Sequence, residues 1–391
     1  VATMSLRLVV PRELRLGEAR VALVPDAVTQ LVDEGFSVAV ERGAGVRSFA
    51  DDDAYRANGA NVIDDRAALL READVVLTVR GLGASDDQSF TRDLACVRHG
   101  AAVVGLLDPY DGDDRIQAMA DRGVLAFALE RMPRITRAQS MDVLSSMSTI
   151  TGYQAVLLAA RTSPRMFPLL MTAAGTLAAA RVLVLGAGVA GLQAIATARR
   201  LGALVQAYDV RPVVREQVES LGATFVSFGG DHSDVTAGGY AIEQSEVFYA
   251  REREMLADAL REVDVAITTA LVLGRRAPTL ITAAAVADMR PGSVIVDLAA
   301  ERGGNCELSE PGETVVRHGV SVAAPLDLAS SAPVHASQMY ARNVSTFLRH
   351  IASPHGLTLD ADDEIVRETM VTPTSLLPEE SPADVASVAG A

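Results

Sequence analysis

Residues 181–192, Arg-Val-Leu-Val-Leu-Gly-Ala-Gly-Val-Ala-Gly-Leu, decide the fold of this chain. A short apolar strand that leads directly into Gly-x-Gly-x-x-Gly and then into a helical pattern is typical of the first βα turn of a dinucleotide-binding domain. We expect Gly186 to permit the tight turn, Gly188 to let the backbone approach a pyrophosphate, and Gly191 to allow close helix packing. The helix that follows would offer its N-terminal amides to the anion.

An acidic residue after the next apolar segment strengthens this interpretation. Residues 204–208 form a second strand pattern and Asp209 follows it, within the interval of about 20 residues at which a carboxylate binds the ribose hydroxyls. Arg211 is suited to a 2′-phosphate, but Asp209 would repel that phosphate, so the pair favours NAD over NADP.

The same alternation of strands and helices runs through the first third of the chain. We predict strands at residues 6–10, 37–41, 75–79, 101–106 and 124–128, and helices at residues 27–34, 65–72 and 115–122. Such βαβ units predict a parallel sheet. With 391 residues and a second series that begins at Arg181, the fold class is α/β, with two Rossmann-like doubly wound domains linked by long helices.

Composition narrows the classes of function. The net charge of −15 argues against nucleic acid and anionic lipid as direct ligands. Cys96 and Cys306 form no zinc or disulfide pattern, which favours a reducing compartment such as the cytoplasm. All 35 basic residues are arginines, so a mechanism that depends on lysine is excluded. The most membrane-like segment, residues 166–198, is interrupted by proline, arginine and glycines, so we expect no direct membrane insertion.

Other polar positions follow the predicted strands of the second series. Thr269, Ala270 and Leu271 close one strand, Asp297 closes another, and Glu301 and residues 303–305 come soon after. Ligands of doubly wound sheets bind beyond the carboxyl ends of the strands, so these residues are expected to line the cofactor crevice. Ordinary strand ends and turns explain the same pattern equally well.

The segment Arg-Ile-Thr-Arg-Ala-Gln-Ser-Met-Asp, residues 134–142, joins the two predicted domains and begins a long helix predicted at residues 138–160. Thr136 and Gln139 fit a capping box, and Asp142 suits the first turn of a helix. The alternative is that this density of polar groups positions a nicotinamide and its ribose. The residues alone leave both interpretations open.

Several motifs, in order along nearly the whole chain, closely resemble domain I of proton-translocating transhydrogenases. They are residues 11–13, 20–25, 134–146, 186–191, 193–198, 216–222, 238–241 and 303–305. The resemblance implies that Arg134, Gln139 and Asp142 hold the NAD(H) nicotinamide and ribose for direct hydride transfer. Together with the strand ends and the glycine pattern, it gives the expected cofactor-binding positions: Ser145, Gly186, Gly188, Val189, Ala190, Gly191, Asp209, Val210, Arg211, Tyr240, Thr269, Ala270 and Leu271.

The family also implies partners and a domain organisation. The NADP(H) would be carried by domain III, and proton translocation would require the membrane domain II on separate subunits, with this chain as a homodimer at the cytoplasmic face of the inner membrane. The expected domains are residues 1–137 plus 330–391, completed by a returning helix at residues 335–350, and an NAD(H) domain at residues 138–329. Residues 229–240, which end in Tyr240, resemble the family's mobile loop. No metal is expected.

Two other functions are alternatives for this chain. Alanine dehydrogenases share the fold, but they need a proton acceptor beside the reacting carbon. At the matching positions this chain has Thr78 and no histidine in residues 103–106, and Glu301 stands in place of an aspartate. A non-catalytic, NAD-binding regulatory subunit is the other alternative. Residues 78–81 and 108–114 also depart from the transhydrogenase pattern, which puts partner contacts in doubt more than the NAD site.

Overall fold

The computed structural model describes residues 5–83, 86–110, 114–226, 246–271 and 274–376, without the side chains of residues 246–249. The chain divides into two compact units. Unit 1 comprises Val1–Val143 and Pro333–Ala391, and unit 2 comprises Leu144–Ala332. Residues 138–143, which the sequence analysis placed in the nucleotide domain, therefore belong to unit 1.

The strands and helices are numbered in chain order. They are β1 (Arg7–Val10), α1 (Pro25–Asp33), β2 (Ser37–Glu41), α2 (Asp52–Ala57), β3 (Asn61–Ile63), α3 (Arg66–Arg71), β4 (Val75–Leu77), α4 (Asp87–Cys96), β5 (Ala102–Gly105), α5 (Asp114–Asp121), β6 (Leu125–Ala128), α6 (Val143–Thr162), β7 (Leu170–Thr172), β8 (Gly175–Leu177), β9 (Arg181–Leu185), α7 (Val189–Arg200), β10 (Leu204–Tyr208), α8 (Arg215–Ser220), β11 (Thr224–Phe225), α9 (Glu246–Leu260), β12 (Val265–Thr268), α10 (Ala283–Ala287), β13 (Val294–Asp297), β14 (Thr314–Arg317), β15 (Val320–Ala323), α11 (Pro333–Ile351), β16 (Ala352–Ser353), β17 (Gly356–Leu357) and α12 (Glu364–Thr369).

Unit 1 contains a six-stranded parallel sheet in the order β3-β2-β1-β4-β5-β6. The strand order reverses between β1 and β4, which is the switch point of a doubly wound sheet. The returning segment completes this unit: the Val21 amide donates to Ser337 Oγ at 3.1 Å, and the Tyr340 hydroxyl on α11 donates to the Thr78 carbonyl at 2.8 Å. The Ala126 amide on β6 donates to Thr372 Oγ1 at 3.1 Å.

Unit 2 contains a seven-stranded sheet in the order β11-β10-β9-β12-β13-β15-β14, in which only the β14–β15 pair is antiparallel. Strand β9 lies between β10 and β12, and its last four side chains are buried, as a central parallel strand requires. Strands β9 and β10 have the bounds predicted from the sequence. The α/β, doubly wound fold class is confirmed in both units. A separate two-stranded hairpin, β7–β8, precedes β9.

Helix α6 is, among the described residues, long and apolar enough to cross a membrane by length and composition alone, and 33% of its most apolar stretch is buried. A single helix of this kind is weak evidence for a membrane span, because core helices of soluble proteins can have the same length and composition. Gly152 lies where α6 passes the start of α7, because a Cβ at this position would lie 2.1 Å from the Ala190 carbonyl oxygen. The absence of a side chain therefore lets this stretch of α6 pack directly on the backbone of the first turn of α7, within unit 2.

Candidate functional site

The loop between β9 and α7 requires glycine at two positions for the fold itself. Gly186 has a φ of +98°, and a Cβ there would lie 2.5 Å from Thr269 Oγ1. At Gly191 a Cβ would lie 1.8 Å from the Gly186 carbonyl oxygen. Because real Cβ atoms do not approach other atoms so closely, both residues are needed for the turn and for packing α7 against it.

Gly188 differs from these two glycines, because the fold does not require it. Its backbone is extended, with a φ of −74°, and the nearest atom to a Cβ built there is Arg211 Nη2 at 4.0 Å. The missing side chain leaves open space in front of the first turn of α7, where the amides of Val189 and Ala190 lack helical partners. We call residues 186–191, with this first turn, the glycine cradle. It has the shape and polarity that a pyrophosphate needs.

Asp209 and Arg211 form one edge of the glycine cradle. Asp209 Oδ2 accepts from the Ala187 amide at 2.7 Å and from Arg211 Nη2 at 2.8 Å, while Oδ1 accepts from the Arg211 amide at 2.9 Å and from Nε at 2.8 Å. The hydrogen bond to Asp209 raises the pKa of Arg211. The acid therefore lies at the predicted place, but its oxygens are engaged by Arg211 and the loop.

The segment after β12 forms the neighbouring wall. Thr269 Oγ1 donates to the Gly186 carbonyl at 3.0 Å, so this wall is joined to the cradle. The Ala270 amide donates to Asn305 Oδ1 at 3.1 Å, and Asn305 Nδ2 returns a bond to the Ala270 carbonyl at 2.9 Å. Leu271 is 41% exposed. Ala270 is thus held in place by the buried Asn305 side chain, and Thr269 by its bond to the cradle.

The expectation that Asp297 and Asn305 line the crevice is wrong, because both residues are completely buried. The Asp297 carboxylate accepts bonds from the end of β12 and from the backbone that follows β13, which explains why it tolerates burial. Its donors are Thr268 Oγ1, Ser309 Oγ and the amides of Ala299, Asn305 and Cys306. Asp297 therefore supports the wall from within the unit and does not face a ligand.

Residues 134–142 do not begin the long helix. Thr136–Met141 is a 3₁₀ turn, preceded by Ile135, and no side chain caps it. Asp142 then has a ψ of 91°, and α6 begins only at Val143. The capping-box interpretation of Thr136 and Gln139 is therefore wrong. Spacing alone could not reveal this, because positions three apart are neighbours in a 3₁₀ turn as well as in an α-helix.

The backbone of this turn is anchored while Gln139 is exposed. Asn343 Nδ2 on α11 donates to the Ser140 carbonyl at 2.8 Å, and Arg137 Nη1 donates to the Asp363 carboxylate at 2.5 Å. The turn therefore presents the Gln139 side chain from a fixed backbone. Arg134 is exposed and Asp142 is half-buried in the same unit.

The structure says less about two of the predicted cofactor-binding positions, Ser145 and Tyr240. Ser145 is half-buried in the first turns of α6, and its carbonyl accepts from Thr149 Oγ1 at 2.9 Å. Tyr240 and the rest of residues 229–240 lie outside the described residues.

A buried ionic network fills the carboxyl edge of the unit 1 sheet, where β1 and β4 end. Arg20 is 3% exposed and makes two bonds to the Glu18 carboxylate, at 2.8 Å and 2.5 Å. Glu13 accepts from the amides of Val79 and Arg80, at 2.6 Å and 3.2 Å. These groups at the switch point bind one another and the backbone, and burial raises the pKa of Glu13 to about 7.

A second carboxyl at this edge, Glu130, follows β6. Its Oε1 accepts from the Asp108 amide, and its Oε2 is buried without a hydrogen-bond partner among the described residues. Burial raises the pKa of Glu130 to about 7. Both Glu13 and Glu130 are therefore accommodated most easily as neutral acids.

The raised pKa values of Glu13 and Glu130 predict a pH dependence of stability. In the unfolded chain both carboxyls ionise near pH 4.5, so their favourable contribution is complete below that pH and is lost as the pH rises to about 7. We expect the free energy of unfolding to fall over this interval by roughly 1 to 3 kcal/mol per carboxyl. Denaturant titrations of Glu130→Gln should show a shallower fall, whereas Glu313→Gln, at an exposed site, should match the unmodified chain. Equal slopes in all three proteins would contradict this assignment.

Comparison with known proteins places these features in one family. Models of the alanine dehydrogenase/PNT family match its N-terminal domain to residues 9–151 and its C-terminal domain to residues 155–376. An NAD(P) transhydrogenase alpha-subunit protein of Rhodospirillum rubrum is 46% identical over 375 residues, which cover 94% of this chain and 96% of that protein. The alanine dehydrogenase of Bacillus subtilis is 28% identical over 372 residues, covering 93% and 90%.

A solved structure gives the same result. The transhydrogenase from Sinorhizobium meliloti superposes with a TM-score of 0.83 at 43% sequence identity, covering 94% of this chain and 98% of that chain. The resemblance inferred from the sequence motifs is thus confirmed. The chain belongs to the alanine dehydrogenase/PNT family and, within it, to the NAD(P) transhydrogenase alpha subunits.

Proposed function

We propose that this chain is the NAD(H)-binding component of a proton-translocating transhydrogenase and exchanges hydride directly with NADP(H) on a partner domain. The glycine cradle is the main support for the proposal. Gly188 leaves open space there, although the fold itself would accept a side chain at this position. An anion at this position would meet the amides of Val189 and Ala190 at the positive end of α7.

Different residues of unit 2 would bind different parts of the nucleotide. The cradle binds the pyrophosphate, and Asp209 with Val210 binds the adenosine ribose. Arg211 Nη2 lies 4.0 Å from the Cβ position built at Gly188, so the guanidinium is near enough to turn from Asp209 toward a phosphate. Thr269, Ala270 and Leu271 would flank the nicotinamide end of the nucleotide. Ser145 and Tyr240 complete the proposed set.

Arg134, Gln139 and Asp142 are proposed to orient the nicotinamide and its ribose for the exchange. The bound nucleotides supply the chemistry, in which a hydride with its electron pair leaves one dihydronicotinamide and joins the other ring. This exchange releases no proton at the site, so the chain needs no general base there. Positioning residues and exclusion of water suffice, because proximity and orientation account for much of the barrier reduction.

The proposal extends to the assembly. The NADP(H) would be held on domain III, and proton translocation would occur in the membrane domain II of separate subunits, with this chain at the cytoplasmic face of the inner membrane. The Rhodospirillum rubrum relative is named as one portion of an alpha subunit, which supports a multi-subunit arrangement. We expect the isolated chain to bind NADH and to be nearly inactive.

The test mixes the purified chain with the NADP(H)-binding domain of a transhydrogenase and follows reduction of thio-NADP⁺ by NADH, with L-alanine plus NAD⁺ in a parallel assay. Rapid transfer without alanine oxidation is the expected result. Tight NADH binding without transfer would favour a regulatory subunit. Turnover of alanine would overturn the proposal in favour of an amino-acid dehydrogenase.

We propose that the hairpin β7–β8 pairs with a second copy of this chain. Met166, Leu169, Met171 and Leu177 are between 54% and 77% exposed, and residues 166–180 contain no charged side chain. A two-stranded sheet alone is marginally stable in water. In a chain with a net charge of −15, an uncharged apolar surface is one that an identical copy can meet without repulsion.

The substitution Met171→Asp should therefore weaken the dimer. Met171 is 77% exposed, and a twofold interface would place the new carboxylate in the contact twice. We expect Met171→Asp to raise the dimer dissociation constant by more than about tenfold, measured by sedimentation equilibrium. Val316→Asp, at a 62% exposed strand position, is the matched control and should leave the constant unchanged. A monomeric unmodified chain, or a Met171→Asp dimer of ordinary affinity, would refute the contact.

A further inference from the structure

A buried carboxyl group lies behind the edge of the glycine cradle. Glu252, near the middle of α9, is 2% exposed, and the Tyr208 hydroxyl donates a hydrogen bond to it. Its Oε2 is buried and has no hydrogen-bond partner among the described residues. None of the roles proposed above uses this residue.

Tyr208 connects Glu252 to the cradle. Its carbonyl accepts from the Gly186 amide at 2.8 Å, so Tyr208 fixes the first glycine through its backbone while its side chain meets Glu252. Asp209 is the next residue in the chain, and it accepts from the Ala187 amide at 2.7 Å. A change at Glu252 therefore reaches both the turn and the acid at its edge through one buried aromatic residue.

The surroundings of Glu252 favour the neutral acid. An ionised carboxylate would leave Oε2 buried without a donor, which is costly. Burial, with a smaller contribution from the charge of Asp209, raises the pKa of Glu252 to about 7. Tyr208 on β10 and Arg253 on α9 oppose this by lowering it. The group thus changes its charge within the range of pH in which cells operate.

We propose that Glu252 is a positioning residue of the nucleotide site, and that its neutral form permits tight binding of NAD(H) whereas its ionised form weakens binding. The reason is electrostatic. Ionisation would add a second negative charge beside Asp209, next to the space where the pyrophosphate would lie. The inference rests on the proposed assignment of NAD(H) to the glycine cradle.

The direction of the effect follows from linkage. The bound, anionic nucleotide favours the neutral acid, so binding takes up a proton when the pH lies above the pKa of free Glu252. Affinity for NADH should be constant below about pH 6.5 and fall at higher pH. Between pH 6 and pH 8.5 we expect the dissociation constant to rise between about fivefold and thirtyfold.

The experiment measures NADH affinity by calorimetry from pH 6 to pH 8.5 for the full chain, Glu252→Gln and Glu254→Gln. Glutamine is neutral at every pH, so Glu252→Gln should change by less than about twofold across the range and bind more tightly than the unmodified chain at pH 8.5. Glu254 is an exposed carboxyl on the same helix, and Glu254→Gln should retain the full pH dependence.

A fourth protein, Tyr208→Phe, separates positioning from mere support of the fold. Loss of the hydroxyl donor removes an interaction that lowers the pKa of Glu252, so the midpoint of the affinity profile should move to higher pH, by roughly 0.5 to 1 unit. A uniform loss of affinity without a shift would overturn the proposal. An NADH affinity that does not change with pH in the unmodified chain would also overturn the proposal, even if Glu252→Gln failed to fold. Failure of the unmodified chain to bind NADH at any pH would instead refute the proposed function.

Discussion

Replacing Gly188 with alanine is expected to weaken NADH binding by at least about tenfold and to change the free energy of unfolding by less than about 1 kcal/mol. The backbone at this position is extended and a Cβ there has no neighbour nearer than 4.0 Å, so the apo fold accepts the methyl group. The same methyl group would occupy space that a pyrophosphate needs in order to reach the first turn of α7. Calorimetric titration with NADH and a denaturant titration provide the two measurements.

The matched control is Gly191→Ala, only three residues away. Its Cβ would lie 1.8 Å from the Gly186 carbonyl oxygen, so we expect a loss of stability of about 2 to 4 kcal/mol. Gly188→Ala should thus affect mainly NADH binding, and Gly191→Ala should affect mainly stability. If Gly188→Ala bound NADH as tightly as the unmodified chain, the glycine cradle would be a turn and not a pyrophosphate site.

Substituting Gln139 by asparagine is expected to lower the rate of hydride transfer to thio-NADP⁺ by about 100-fold or more, in the presence of the NADP(H)-binding domain. The turn that carries Gln139 is anchored through Ser140 and Arg137, so a side chain shorter by one methylene cannot recover its reach by a backbone shift. NADH affinity should change by no more than a few fold, because the proposed cradle belongs to unit 2. Single-turnover absorbance measurements and calorimetry would resolve the two effects.

Gln30→Asn provides the control for this experiment. Gln30 is another exposed glutamine of unit 1, on α1, and should be replaceable without an effect on transfer. Equal rates for Gln139→Asn and Gln30→Asn would remove Gln139 from the proposed positioning set. A parallel loss of transfer in both would point instead to a general weakness of unit 1.

Local sequence determined much of the structure of unit 2. The bounds of β9 and β10 follow from short apolar runs that end at a glycine and at an acid, and these breaks coincide with the strand ends. The first unit was predicted less completely. Strand β3, with only three residues, and helices α2 and α4 were missed, because their apolar periodicity is too short or too diluted by acidic residues to stand out.

Other features depend on contacts that no local pattern contains. The acid at the end of β13 has the same sequence signature whether it faces a ligand or the interior, and only the converging donors around Asp297 show that it is internal. The pairing of Tyr208 with Glu252 joins β10 to a helix far along the chain. Neither residue stands at a motif position, so sequence reasoning had no reason to select them.

The discontinuity of unit 1 has a consequence for the order of events during synthesis. Ala126 on β6 can bond Thr372 only after 246 further residues have been synthesised. Val21 can bond Ser337 only after 316 further residues. Contacts so distant in sequence form late, because closing long loops is entropically unfavourable. While the ribosome is still adding the returning segment, unit 2 can already be complete, whereas the sheet of unit 1 still lacks its contacts with α11 and with Thr372. Unit 2 would therefore complete its folding first, and unit 1 would complete its folding last.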